Sequence, residues 1–445
     1  MPHNGINVPV FSLKTETSSG IGDFLDLIPL IDWVSQIGFD VIQILPLNDT
    51  GLDTSPYNIQ SAFALNPLFI KWPGLSLSND LAYVDYKSVR QRKNEAAKNC
   101  AYPLNEMRQF AEKFPWVKEY AQAKEGDKSL FEQYMAYTQM KAVKAHADSK
   151  GVQLLGDLPI LIAPDSVDIH LHPEYFLRHL SAGAPPDVYS KEGQNWGFPL
   201  YNWENMEKDN FKWWRERLSY AAEFYHLYRI DHVVGFYRIW ACQPGEKALY
   251  GKFIPENREE WIPQGEKILK MMLESTSMKP IGEDLGTIPD EVRVSLKRLG
   301  IPGTKVLRWE KEWQAKEHPF TPLSDYPTLS LTTVSTHDST LLKVWWKTHP
   351  EEAKALATLF HFPWEPELSA PNLKAVLKAS HHNPSLYHIN LLPEYFSALP
   401  EFDQEVRINE PGVISPHNWS WRMKPTIEQM AQSSSLTSLM QECIH

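Results

Sequence analysis

Cysteine is scarce in this chain, and the three that occur, Cys100, Cys242 and Cys443, have neither a pairing count nor CxxC spacing. A disulfide framework and a structural zinc site are therefore not expected, and a reducing compartment, the cytoplasm, fits best. A basic tract is also missing. With 44 Lys and Arg against 55 Asp and Glu, the net charge is -11, which speaks against a nucleic-acid partner, since phosphate binding relies on clustered cations. No apolar run reaches membrane-spanning length, and the first ten residues carry no basic segment followed by an apolar stretch, so neither a membrane anchor nor a leader is expected. Internal repeats and low-complexity tracts are lacking as well.

Aromatic residues, by contrast, are plentiful, with 16 Trp, 18 Tyr and 19 Phe. Most belong in a core, but Trp and Tyr also offer flat apolar faces with a polar edge, which suits sugar rings. At 445 residues, 42% hydrophobic and 22% charged, the chain has material for two domains or for one large barrel with insertions.

Three polar clusters stand at the ends of short apolar runs: Arg229-Ile230-Asp231-His232, Gly282-Glu283-Asp284-Leu285-Gly286 and Thr336-His337-Asp338. Runs of this kind form buried parallel strands, so each acid leaves its strand at the carboxyl end. A closed parallel barrel builds its active site there, from several strands. Asp231 and Glu283 are 52 residues apart and Glu283 and Asp338 are 55 apart, room for a strand, a helix and an insertion each time. For any one acid, capping a helix or pairing with an Arg is an equally ordinary use.

The rest of the chain fits the same architecture, an α/β (β/α)8 TIM barrel with helical and loop insertions on the catalytic face. Strands are expected at Val8 to Leu13, Asp40 to Leu45, Val152 to Leu155, His226 to Ile230, Lys279 to Ile281, Thr304 to Leu307, Leu331 to Ser335 and Tyr387 to Leu391. A helix from Asp23 to Ile37 should end at Gly38. The barrel spans 1–445 as one catalytic unit, with a mainly helical subdomain inserted over 48–150 and a loop-rich one over 164–225. The stretch from Pro164 to Trp203 reads as a long irregular loop, and long ordered loops are usually functional.

Glycoside cleavage through a covalent intermediate needs one carboxylate as nucleophile and one carboxylic acid to protonate the leaving oxygen. A third acid can hold sugar hydroxyls. Arg229 lies two residues before Asp231 and so on the same face of a strand, where it can hydrogen-bond Asp231 and keep it ionised, as a nucleophile requires. A buried ion pair without catalysis would look the same. Glu283 can serve as the acid only if desolvation or a nearby negative charge keeps its proton near neutral pH. Asp284 does not supply that charge, because successive strand residues point to opposite faces.

These three clusters resemble the hallmark motifs of the amylomaltase family, the 4-α-glucanotransferases of glycoside hydrolase family 77. Ser55-Pro56-Tyr57, Gly156-Asp157-Leu158-Pro159-Ile160, Pro185-Pro186-Asp187, Gly193-Gln194-Asn195-Trp196-Gly197 and Asn418-Trp419-Ser420-Trp421-Arg422 follow in family order. The resemblance implies that Asp231 is the nucleophile, Glu283 the general acid/base and Asp338 the transition-state stabiliser. It also implies that Arg229 and His337 contact the reacting sugar, that Tyr57, Asp187, Trp196 and Asn409 help bind the glucan, and that no cofactor or metal takes part. Val233-Val234, Phe198, Ser339 and Arg308-Trp309 depart from the common bacterial pattern. With the stretches 196–204 and 235–240 they are similar to the branch containing the plant cytosolic disproportionating enzyme, whose starch-binding modules and barrel insertion this chain is expected to lack.

The expected activity is retaining transfer of α-1,4-linked units between maltose or malto-oligosaccharides and an acceptor such as a glycogen-like glucan. The alternatives are an α-1,4-glucan hydrolase using the same acids and a non-catalytic glucan-binding protein of the same fold. Maltose separates the first two, since transfer yields glucose and longer oligosaccharides whereas hydrolysis yields glucose alone.

Overall fold

The computed structural model describes residues 2–76, 81–186, 191–404 and 406–445. Eight parallel strands form its centre: β1 His3–Asn7, β2 Val41–Gln43, β3 Gln153–Leu158, β4 Leu227–Ile230, β5 Lys279–Gly282, β6 Gly303–Val306, β7 Ser330–Thr333 and β8 Tyr387–Leu391. Ladders run β5-β4-β3-β2-β1-β8-β7-β6, so the first and last strands are neighbours. The remaining seam, between β5 and β6, is closed by Gly282 N–H donating to Pro302 O at 2.8 Å and by the buried Asp284 carboxylate accepting Thr304 N–H at 2.7 Å. Gly303 makes room for that carboxylate, because a β-carbon there would lie 2.7 Å from Asp284 Oδ1.

Strand alternation divides each strand's side chains between two environments. Val41, Leu155, Leu227, Ile281, Leu331 and Ile389 cluster inside the barrel, whereas Ile6, Ile42, Leu154 and Tyr228 join the larger core under the helices. Two residues further toward the carboxyl ends on the inner face stand Gln43, Asp157, Arg229, Glu283 and Thr333, with Asn7 beside Gln43 in register. The barrel interior is thus apolar below and polar at its carboxyl mouth, as period-two placement of these residues dictates.

The sequence placed the first strand at Val8 to Leu13, but the strand is His3–Asn7 and Val10–Ser12 is a buried 3-10 turn. Close approach decides this, since a β-carbon on Gly5 would come within 2.4 Å of Val41 O. Helix Leu27–Ile37 follows and ends at Gly38, which is left-handed with φ of 89°, as expected of a glycine cap. Among the described residues between β2 and β3 stand four α-helices, Tyr86–Lys98, Leu104–Lys113, Trp116–Ala123 and Asp127–Lys150. The stretch from 164 to 203 is more regular than its composition suggests. Its Ser181–Ala184 and Gln194–Asn195 strands join Ile239–Cys242 and Lys252–Ile254 in a four-stranded antiparallel sheet, which links the excursions that follow β3 and β4. Among the described residues no helix is long and apolar enough to cross a membrane.

Candidate active site

The pocket at the carboxyl mouth of the barrel is lined by residues from seven strands or their extensions, including Asn7, Gln43, Arg229, Glu283, Thr333 and His337. Arg229 is its hub. The ladder sets Arg229 beside Asp157, and Arg229 Nη1 donates to Asp157 Oδ1 and Oδ2 at 3.0 and 2.9 Å and to Asp231 Oδ1 at 2.9 Å. Its Nη2 lies 3.8 Å from Glu283 Oε2. Burial opposes the guanidinium's charge, but these carboxylates, Asp157 foremost, raise its pKa well above the ordinary value. One cation therefore organises three acids, two of which the motifs had singled out.

Glu283 sits just past β5 with its carboxylate largely buried. His232 N–H donates to Oε2 at 2.8 Å and Leu285 N–H to Oε1 at 2.9 Å. The His232 donor is aimed by an uncommon backbone, since His232 has φ of 46°, a left-handed conformation costly for a residue with a β-carbon. Burial pushes the Glu283 pKa up to about 7; Arg229 and the two backbone donors oppose this, and the Asp231 charge adds to it. Near neutral pH this group can both give and take a proton, the property the sequence required of it and could not display.

Asp338 is treated in the opposite way. Burial disfavours its charge, yet the adjacent His337, with Nε2 3.3 Å from Oδ2, and Asn409, donating from Nδ2 to Oδ1 at 2.7 Å, hold its pKa at about 2. Burial likewise opposes a charged His337, and Asp338 reverses this and raises its pKa. Asn409 N–H also donates to His337 O at 3.2 Å. Tyr57 ties the two halves of the pocket together: its hydroxyl donates to Asp157 Oδ2 at 2.8 Å and lies 3.0 Å from His337 Nε2. Burial and the Asp157 charge raise the phenol's pKa well above its usual value. The Tyr57 ring stacks on His337 at 5.4 Å and meets Trp419 at 5.7 Å.

The structure thus brings Asp231, Glu283, Asp338, Tyr57, Arg229, His337 and Asn409 into one network. Trp196 stands beside it, edge to face with His232 at 5.1 Å. Asp187 lies outside the described residues. Sequence reading assigned no role to Asp157 or Trp419, although both fall in motifs it noted, and Asp157 ends an apolar run just as the other acids do. It also missed two buried supports. Glu394 Oε1 accepts from Ser335 Oγ at 2.6 Å and Leu342 N–H at 2.9 Å, while Arg308 donates to Val334 O at 3.3 Å and Thr340 O at 2.6 Å. Together they grip both ends of the loop that carries His337 and Asp338, with Arg308 Nη2 3.9 Å from Glu394.

Comparison with known proteins agrees with this architecture. The family model for 4-alpha-glucanotransferase, glycoside hydrolase family 77, matches residues 8–124 and 104–428. A 4-alpha-glucanotransferase of Chlamydia pneumoniae is 41% identical over 97% of this chain and 93% of its own length. The rice 4-alpha-glucanotransferase DPE2 is 35% identical, over 59% of this chain and 35% of its own. Among solved structures, an amylomaltase from Streptococcus agalactiae in complex with acarbose superposes with a TM-score of 0.84 at 23% identity, covering 100% of this chain and 98% of that one, a likeness of fold. The chain belongs to the 4-alpha-glucanotransferase family, glycoside hydrolase family 77, and is an enzyme of that class.

Proposed function

We propose that the pocket transfers α-1,4-linked glucosyl or maltosyl units from maltose or malto-oligosaccharides to a glycogen-like glucan acceptor by a retaining double displacement. The observation that supports this most strongly is the unequal treatment of two carboxyl groups on one guanidinium. Asp231 receives a direct hydrogen bond from Arg229, while burial lifts Glu283 to about 7. An ionised nucleophile and a protonated acid can therefore coexist.

Asp231 attacks the anomeric carbon and forms a glycosyl ester as the bond to the glycosidic oxygen breaks. Glu283 gives its proton to that oxygen, and the shortened chain departs. The 4-hydroxyl of an acceptor glucose then attacks the same anomeric carbon, Glu283 takes the hydroxyl proton, and the bond to Asp231 breaks to release its carboxylate. Asp338, held ionised by His337 and Asn409, binds sugar hydroxyls and favours the positively charged transition state. Arg229, His337 and Tyr57 orient the reacting ring, and Trp196 and Asp187 bind the adjoining glucan. No metal or cofactor is required by these steps.

Transfer also requires that water be kept from the ester. In this reading the inserted segments 48–150 and 164–225 act as subdomains that shape and cover the cleft, and a reducing cytoplasm suits the three free cysteines. Incubation with maltose should yield glucose together with maltotriose and longer products. Glucose alone would mean hydrolysis. Asp231→Asn should lower turnover by roughly 10,000-fold or more, and unchanged turnover would refute its role as nucleophile.

A further inference from the structure

Scattered exposed apolar side chains need no explanation, because more than half of a folded surface is apolar. Trp313 differs in how it is held. It is 59% exposed, yet the segment that carries it is an ordered hairpin. Lys311 and Phe320 form an antiparallel bridge, Glu312 N–H donates to Pro319 O at 2.9 Å, and Thr321 N–H donates to Glu310 O at 3.0 Å. The Lys311 ammonium stands 5.6 Å from the centre of the indole and 5.2 Å from that of the buried Phe320 ring, and pairs with Glu352 at 3.3 Å. The His318 ring lies 5.4 Å from the indole. The indole is therefore braced by Lys311 and His318, and its N–H has no hydrogen-bond partner among the described residues.

The place of the hairpin gives this ring a use. It follows β6 directly, between β5, which leads into Glu283, and β7, which leads into His337 and Asp338. The group that protonates the glycosidic oxygen faces the departing chain, and the incoming acceptor takes that chain's place, so both run past the Glu283 side of the rim. The excursion from β4, the other neighbour of β5, also presents an aromatic, Tyr250, which is 76% exposed.

We propose that Trp313 is a platform for the part of a long α-1,4-glucan that extends beyond the pocket on the Glu283 side. An indole matches the C–H face of a glucose ring, while its N–H, Lys311 and His318 supply hydrogen-bonding groups at the edge for the hydroxyls. This deepens the glucan-transfer reading above and rests on it.

Steady-state kinetics with maltotriose alone and with glycogen as acceptor test it. Trp313→Ala should raise KM for glycogen by about tenfold, leave disproportionation of maltotriose unchanged, and be largely rescued in Trp313→Phe. An unaltered KM for glycogen, or an equal loss on both substrates, would overturn the platform. Failure of the unaltered protein to act on maltotriose would instead refute the transfer reading. In that case retardation of wild type and Trp313→Ala in a glycogen-containing native gel decides the platform separately: weaker retardation of the variant supports it and equal retardation refutes it.

Discussion

Glu283 shows how much one side chain's surroundings can contribute. Its pKa is raised from 4.5 to about 7, chiefly by burial, so the folded protein holds a proton that the unfolded chain has released between those two values. Stability gained from that proton is present below 4.5 and is lost as pH rises through about 7. Two measurements follow. Turnover should fall as pH rises above about 7, where the acid is lost. In urea melts Glu283→Gln should be more stable than wild type at pH 8, by about 2 kcal/mol after one backbone hydrogen bond is given up, with the gap closing toward pH 4.5. Equal stability of the two proteins at both pH values would refute the burial argument. That this carboxyl stands at a strand end was legible from the apolar run before it, but its protonation was not, since neither the burial nor the His232 donor, 51 residues away, can be read from Glu283's own neighbourhood in sequence.

Among the elements, the strands were legible where apolar runs announce them and obscure where contact geometry decides. β1 reads His-Asn-Gly-Ile-Asn and carries no apolar run. It is a strand because Gly5 admits the β2 backbone so closely, and Gly5→Ala should lower stability by about 1–3 kcal/mol, seen as a lower urea midpoint with an unchanged slope. The loop after β7 poses the converse problem. Its His-Asp pair was evident, whereas Arg308 and Glu394 reach it from the ends of other strands, a tertiary arrangement with no sequence spacing to betray it. Glu394→Ala should reduce kcat by roughly 10- to 100-fold through misplacement of Asp338, with a smaller change in KM and a native circular dichroism spectrum. Glu394→Gln, which keeps an acceptor for Ser335 and Leu342, should recover most of the loss.

At the level of the whole molecule, the barrel class followed from acids spaced for strand-helix units. The sheet built by the excursions after β3 and β4 did not, because its strands are two to four residues long and its central pairing, Ser181–Ala184 with Ile239–Cys242, joins residues 57 to 61 apart in the chain. The adjacency of the first and last barrel strands has a consequence for how the protein is made. β1 finds its second partner only when β8 emerges, 380 residues after Asn7, which at ribosomal rates of about 5–20 residues per second is roughly 20 to 80 s. Throughout that interval one edge of the nascent sheet stays unpaired, the condition under which strands recruit foreign chains. A first strand of His, two Asn, Gly and a single Ile is poor material for such recruitment. The polarity that hid β1 from sequence reading thus protects a barrel that cannot close until its eighth strand has been made.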